Sequence, residues 1–235
     1  MMKTLEDVHK ELVKIKAMDF VTTHRAHDTG IGKTLEDLLG LKENNLKLPD
    51  IGDIELKAKR IDSGSMLTLA TKSPNPKGTN RLLFEAYKYK DNLGEYGLHT
   101  TVDGSKPNNL GFQSIFKDNK LYLSNKGNIE AYWPITVFDD VLKAKSNKIL
   151  LVFAETKGER KTATEQFHYI EAFLLSELSI AKFKTAILND RLKVDIRIGV
   201  YRSGSSKGKY HDHGTGFRIN KTYFLELFDN YKQIL

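Results

Sequence analysis

The sequence predicts an α/β protein with a mixed β-sheet core flanked by helices. Three observations predict it. The run "KILLVFAETKG" (148–158) is nearly continuous in apolar residues, the mark of a central strand covered on both faces. "IGDIELKAKRI" (51–61) and "KVDIRIGVY" (193–201) alternate instead, as half-exposed strands do. Leu5, Val8, Leu12, Ile15 and Met18 recur at three- and four-residue steps and form one apolar helical stripe. No repeat, low-complexity tract or Pro/Gly linker cuts residues 1–235, so a single α/β domain is expected, open to two lobes around a cleft.

The elements follow in order. After the first helix, "TTHRAHDTG" (22–30) reads as a loop, with Thr29 as N-cap of a short helix "IGKTLEDLLG" closed by Gly40. A connection "LKENNLKLP" (41–49) leads into the alternating strand at 51–61, and "MLTLATK" (66–72) follows the turn "DSGS", predicting a hairpin. "SPNPKGTN" is a loop, and "RLLFEAYKYK" (81–90) a helix with Leu82, Leu83 and Ala86 inward. "GFQSIFK", "KLYLSN" and "IEAYWPI" are strands separated by the turns "DN" and "NKGN". "VFDDVLKAK" (137–145) is a short helix before the apolar strand, and "LSELSIAKFKTAILNDR" (175–191) a longer one. "RSGSSKGKYHDHG" (202–214) reads as a loop, "GTGFRIN" (214–220) as a strand and "KTYFLELFDNYK" (221–232) as a closing helix. Trp133 and the aromatics Phe112, Phe116, Tyr122 and Tyr132 are assigned to packing in the β-rich middle.

Composition narrows the function. Hydrophobic residues make up 40% and aromatics 10%, enough to build a core. No window approaches the roughly 18 apolar residues of a membrane helix, and the N-terminal stretch is amphipathic rather than a signal sequence. Without cysteine the chain has neither disulfides nor thiolate chemistry, and a cytoplasmic protein is expected. Lys and Arg number 37 against 30 Asp and Glu, a net charge of +7 that favours polyanionic partners through phosphate contacts and counterion release.

"DTGIGKTLEDLL" invites a nucleotide-binding reading that its spacing refuses. A phosphate-binding loop needs glycine where His27 stands, and a dinucleotide fingerprint needs glycine at Leu35. The segment is instead a helix with Leu35, Leu38 and Leu39 on its apolar face and Glu36 on another.

"LPDIGDIELKAKR" (48–60) is more informative. Side chains two apart on a strand share a face, so Glu55, Lys57 and Lys59 point one way and Ile54, Leu56 and Ala58 the other. Asp50 lies between Pro49 and Gly52, where a bend can bring its carboxylate toward Glu55. Two converging carboxylates form a hard oxygen site suited to Mg²⁺. A lysine on that face can position an attacking water or stabilise developing phosphorane charge. A solvated strand with alternating charges produces the same spacing, and the spacing alone does not separate the two.

In "VDIRIG" (194–199), Asp195 and Arg197 share one face, opposite Val194, Ile196 and Ile198. Such a pair is a surface ion pair or, against DNA, a reader: arginine donates to guanine and aspartate accepts from the cytosine amino group. Arg218 in "GTGFRI" offers a second guanine reader. The 202–214 segment carries Arg202, Lys207 and Lys209 in a Gly/Ser frame suited to tracking phosphates, followed by His211 and His213. His24, Arg25, His27, Lys77 and Arg81 are further DNA-facing candidates.

Pro49-Asp50 followed by Glu55-Leu56-Lys57 fits the PD-(D/E)xK nuclease signature. With the preceding helix "GIGKTLEDLLGLKENN", the following "SMLTLATKSPNPKG", and the late "KVDIRIGVYRSG" and "GKYHDHGTGFRIN", the chain closely resembles the MvaI/BcnI family of type II restriction endonucleases. That family is related to the mismatch-repair strand nickase MutH. The resemblance runs from about residue 28 to 220 and is least clear from about 105 to 145. It implies a restriction-endonuclease-like fold, with catalytic elements at about 30–75 and DNA-recognition elements at about 190–220. It further implies that Asp50 and Glu55 bind metal, that Lys57 is the catalytic lysine and that Glu36 faces the same site. Asp195, Arg197 and Arg218 would be the readers, and His213 would contact a base near the target's centre.

The expected activity is sequence-specific, Mg²⁺-dependent cleavage of double-stranded DNA at a C/G-flanked site of CC-N-GG form, by a monomer nicking each strand in turn. A host would need a companion methyltransferase. A MutH-like nickase and a non-catalytic DNA-binding module are the alternatives.

Overall fold

The computed structural model describes residues 4–41, 49–145 and 148–235. In chain order its elements begin with α1 (Leu5–Ala17), β1 (Val21–Thr22), α2 (Gly30–Leu38), β2 (Glu55–Arg60), β3 (Leu67–Thr71) and α3 (Thr79–Tyr87). Next come β4 (Tyr89–Lys90), β5 (Tyr96–Val102), β6 (Phe112–Lys117), β7 (Lys120–Asn125), β8 (Asn128–Pro134) and α4 (Ile135–Lys145). They continue with β9 (Lys148–Lys157), β10 (Gln166–Ser176), α5 (Ile180–Leu188), β11 (Leu192–Val200), β12 (Tyr210–Asp212) and β13 (Gly216–Ile219). The last are α6 (Lys221–Phe224), a 3₁₀ turn (Leu225–Leu227) and β14 (Asn230–Gln233).

These elements gather into two compact units: Met1–Ser65 with Leu142–Leu178 and Phe228–Leu235, and Met66–Val141 with Ser179–Leu227. The first is built on a mixed sheet in the order β1-β10-β9-β2, with β14 also on β10. β2 runs parallel to β9 and pairs Glu55 with Ile149 and Lys57 with Leu151. β9 carries six consecutive buried residues, Ile149 to Ala154, which confirms the apolar run as a central strand. α1 is capped by Thr4, whose hydroxyl accepts from the Asp7 amide while Asp7 accepts from Thr4. Val8, Leu12 and Ile15 of α1 and Ile31, Leu35 and Leu39 of the α2 segment pack onto Leu150, Val152 and Tyr169. Met18, expected in that stripe, is 54% exposed because it caps the helix end.

In the second unit a sheet in the order β3-β13-β11-β5-β4, with β12 also on β11, lies beside a three-stranded meander β6-β7-β8. Its core is aromatic: the Phe138 ring lies 4.7 Å from both Phe183 and Phe217, and Trp133 lies 5.5 Å from Phe217. The Trp133 indole donates to the Lys72 carbonyl at 2.9 Å, so the expected packing role carries a satisfied polar end.

Several local expectations are corrected. The strands at 55–60 and 67–71 do not form a hairpin: β2 pairs with β9 and β3 with β13, in different sheets. Thr29 occupies the N-cap position in helical backbone geometry and makes no side-chain cap. Leu82 is 70% exposed and Ala86 is exposed as well, because α3 turns Leu83 and Phe84 inward. Residues 221–232 form a one-turn helix, a 3₁₀ turn and an edge strand rather than one helix. Tyr210–Asp212, inside the expected loop, pairs with β11. Strands β1, β4, β5 and β10 lie where no strand is expected from the sequence: Tyr89–Lys90 and Leu175–Ser176 pair in sheets instead of extending the helices expected at 81–90 and 175–191. The connection at 41–49 falls largely outside the described residues.

Candidate functional site

The first unit assembles its polar site at the start of β2. Ile51 and Ile54 are buried and bond to each other's backbone at 3.0 and 2.8 Å, closing a tight turn through Gly52 at φ +60°. That turn brings Asp50 back to the strand, where its Oδ2 accepts the Leu56 amide at 2.8 Å. Asp50 is thereby tied to the backbone one residue from Glu55, as the Pro-Asp…Gly spacing suggests. Glu55 and Lys57 share a face, and Lys57 Nζ lies 3.7 Å from Glu55 Oε1, with side chains 18% and 13% exposed respectively. Leu56 and Ala58 point oppositely, against the α1/α2 core.

Glu36 sits half-buried on α2, the helix packed on β2. A side chain at Gly32 would come within 4.0 Å of its Oε1, and its charge adds to the burial that pushes the Tyr169 phenol up. The next residue, Asp37, joins Lys33 at 2.5 Å and His24 Nδ1 at 3.0 Å. Hydrogen bonds from Lys33 first, then His24, hold Asp37 below the ordinary carboxylate range. His24 is thus held in place, whereas His27 takes a left-handed backbone in the same loop.

The donor set fits a hard divalent cation. Glu55 on the supported strand, with Asp50 fastened to that strand from the preceding turn, leaves the remaining positions to water and substrate oxygen, as Mg²⁺ prefers. Among the described residues no three His, Asp, Glu or Cys side chains gather as a closed metal cage.

At the far end of β2, a feature unseen in the sequence stabilises the unit. Arg60 donates to Glu165 twice, Nε to Oε1 at 2.6 Å and Nη2 to Oε2 at 2.8 Å, and its guanidinium lies 5.3 Å from the Phe167 ring centre. Burial tends to raise the Glu165 carboxyl, but bonds from Arg60 and the Lys161 amide outweigh it and keep the group low. Lys59, on the face of Glu55 and Lys57, is buried and bonds Ser65.

The second unit carries the other predicted residues. Val194, Ile196 and Ile198 are buried on one face of β11, and Asp195 and Arg197 lie on the other. Asp195 is itself 6% exposed. It accepts from Thr101 at 2.9 Å and from Arg218 Nη1 at 2.8 Å, with Arg197 Nε 3.7 Å away. A buried carboxylate between two arginines is first of all a holder of those arginines; it orients them as a rigid pair. Gly216, opposite Asp195, leaves them room: a Cβ there would meet Arg197 Nη2 at 3.3 Å and Arg218 Cδ at 3.4 Å.

β12 brings His211 opposite Gly199. The His211 ring lies 4.1 Å from both Tyr201 and His213. Desolvation, then the neighbouring His211, Arg197 and His99, holds His213 below the usual histidine range. Lys207 and Lys209 are exposed, and Arg202 pairs with Asp91 at 2.6 Å. Arg81 stacks over Tyr210 at 4.7 Å and pairs with Glu85 at 3.0 Å, so it braces β12. Lys77 lies exposed in the loop before α3.

Sequence reasoning missed Thr101 and His99, which stand opposite Asp195 and Arg197 on β5. The alternation in "YGLHTTV" was their signal. Arg60 and Glu165, 105 positions apart, left no local signal.

Comparison with known proteins gives the family. The model of the MvaI/BcnI restriction endonuclease family matches residues 9–228. A solved complex described as restriction endonuclease MvaI with cognate DNA substrate is 36% identical, covers 100% of both chains and superposes with a TM-score of 0.88. Restriction endonuclease MvaI in the absence of DNA, also 36% identical over 100% of this chain and 99% of its own, superposes with a TM-score of 0.58. No curated protein matches.

Proposed function

The chain belongs to the MvaI/BcnI restriction endonuclease family, and from that premise we propose that it cuts double-stranded DNA at Asp50, Glu55 and Lys57 with Mg²⁺ as cofactor. It is a type II site-specific deoxyribonuclease. The observation that carries the residue assignment is the construction at the start of β2. Asp50 is fastened to the Leu56 amide, and Lys57 lies 3.7 Å from Glu55 on one half-buried face. Mg²⁺, when bound by the two carboxylates, supplies Lewis-acid polarisation of the scissile phosphate and a more acidic water. Lys57 orients the attacking water and offsets charge developing on the phosphate. Glu36 supports the site from α2.

In this reading Arg197 and Arg218 donate to guanines of a CC-N-GG-type site, held in place by Asp195, with His213 near its centre. Asp195 gains the cytosine amino group as a further donor when DNA is bound. Arg202, Lys207, Lys209 and His211 contact the duplex around them. The protein acts as a monomer that nicks each strand in turn, in a cytoplasm where a companion methyltransferase protects the host. The full-length 36% identity to a restriction endonuclease supports this branch over a MutH-like nickase or a non-catalytic module.

The test is digestion of unmethylated phage DNA with Mg²⁺, with EDTA, and with Lys57→Ala. Discrete fragments from the wild type with Mg²⁺ alone, and a loss above about a thousandfold in the variant, are expected. Equal cutting by Lys57→Ala would remove the lysine from the chemistry. Salt-sensitive binding without cutting would overturn the nuclease reading.

A further inference from the structure

Strand β5 places His99 directly opposite Arg197, and Thr101 directly opposite Asp195. Cross-strand partners share a face, with Cβ atoms about 4.5–5.5 Å apart. His99 therefore projects from the same sheet face as Arg197 and Asp195. The backbone around it is shaped to the imidazole. A Cβ on Gly97 would stand 3.0 Å from His99 Cδ2, and one on Gly199 would stand 3.5 Å from Nε2. Gly97 thus leaves room for the ring, while a side chain at Gly199 would only touch its edge. The Tyr89 hydroxyl donates to the His99 carbonyl at 3.0 Å, which pins the strand beneath it.

The ring itself is exposed, at the wall of a pocket of about 580 Å³ shared with Tyr201, Arg202, His211 and His213. Among the described residues it has no hydrogen-bond partner. A surface histidine needs neither a glycine making room for its ring nor a register opposite an arginine. A short, flat ring of this kind is suited to a groove floor rather than to tracking phosphates, a task for which long cationic side chains serve.

We infer that His99 is a specificity-determining residue, donating a hydrogen bond to a purine N7 in the major groove at the base pair next to the one Arg197 reads. The inference rests on the DNA-cleaving function proposed above. An imidazole N–H and a purine N7 form a single donor–acceptor contact. Directly opposed side chains stand about 4.5–5.5 Å apart and successive base pairs about 3.4 Å, so the contact falls about one step from that of Arg197.

The experiment selects bound duplexes from a randomised library in EDTA, using wild type, His99→Ala and His99→Gln. In parallel it measures cleavage of the wild-type target and all its single-base-pair variants with Mg²⁺. The expected result is a loss of preference confined to one base-pair position, about ten- to a hundredfold for His99→Ala, the size of one base contact. Gln keeps a donor and should restore part of it. Thermal unfolding should be unchanged, because the ring is exposed. An unchanged preference in His99→Ala, or an equal loss at every position, overturns the inference. If wild type selects a sequence but cuts nothing, the nuclease reading fails while the library still decides the role of His99.

Discussion

At the scale of single residues, the consequential side chains are held by others rather than merely placed. Asp195 has its two oxygens committed to Thr101 and Arg218 before any ligand arrives. Removing its charge should therefore act through the arginines. Asp195→Asn is expected to lower cleavage of the target about ten- to a hundredfold and to relax preference at the outer base pairs. Its affinity for unrelated duplex should remain, as measured by fluorescence anisotropy and cleavage of variant sites. Glu165 shows the same dependence in a structural setting. It is 1% exposed and carries a bidentate bond from Arg60, so Glu165→Gln leaves a buried guanidinium without its counter-charge. A loss of about 3–5 kcal/mol is expected by denaturant unfolding. The double replacement Arg60→Met with Glu165→Leu should recover much of it, since a well-packed apolar pair often matches a buried ion pair. Recovery failing altogether would mean the ion pair does more than satisfy itself.

At the scale of elements, the division of labour along a strand does the positioning. β2 gives its Leu56 and Ala58 side chains to the core and turns Glu55 and Lys57 the other way, so the candidate chemistry stands on a packed support. β11 repeats the pattern with Val194, Ile196 and Ile198 against Asp195 and Arg197. The segment between β11 and β12 works differently: Lys207 and Lys209 are exposed in a turn-rich stretch and carry charge. Lys207→Ala and Lys209→Ala should each weaken DNA binding almost equally for all sequences. Each should reduce the slope of log K against log salt by about 1, read from titrations between low and moderate salt. A change in sequence preference instead would make these lysines readers.

At the scale of the whole molecule, the net charge of +7 suits a polyanion, yet several carboxylates are tuned for stability. Glu165, Asp37 and Asp190 all titrate below their ordinary values of 4.5, 3.8 and 3.8. For Asp190, burial tends to raise the carboxyl, but bonds from Ser105 and the Gly104 amide outweigh it. A folded-state pKa below the unfolded one means the unfolded chain binds more protons in the interval between them. Their stabilisation is thus complete above about pH 4.5 and is lost as pH falls through the folded values. Denaturant midpoints should stay level from pH 7 to about 5 and drop steeply below about 4, and Glu165→Gln should flatten that drop. An unchanged acid limb in the variant would place the linkage elsewhere.

The sequence by itself determined the local matters. Alternation assigned the faces of β2 and β11, the apolar run identified β9, and the Pro-Asp…Glu-x-Lys spacing pointed to the residues of the candidate site. Periodicity of two or of 3.6 is a property of the backbone, and it can be read before any contact is known. Pairing was decided only by the tertiary structure. β2 pairs with β9 and not with the next strand in sequence, Arg60 meets Glu165 from 105 positions away, and the unforeseen β5 sets His99 and Thr101 against Arg197 and Asp195 of β11. Those contacts depend on which apolar faces bury one another, a competition among distant segments. Leu82 was misplaced for the same reason. A helix with apolar residues on two sides is oriented by what packs against it, and here Leu83 and Phe84 face the core.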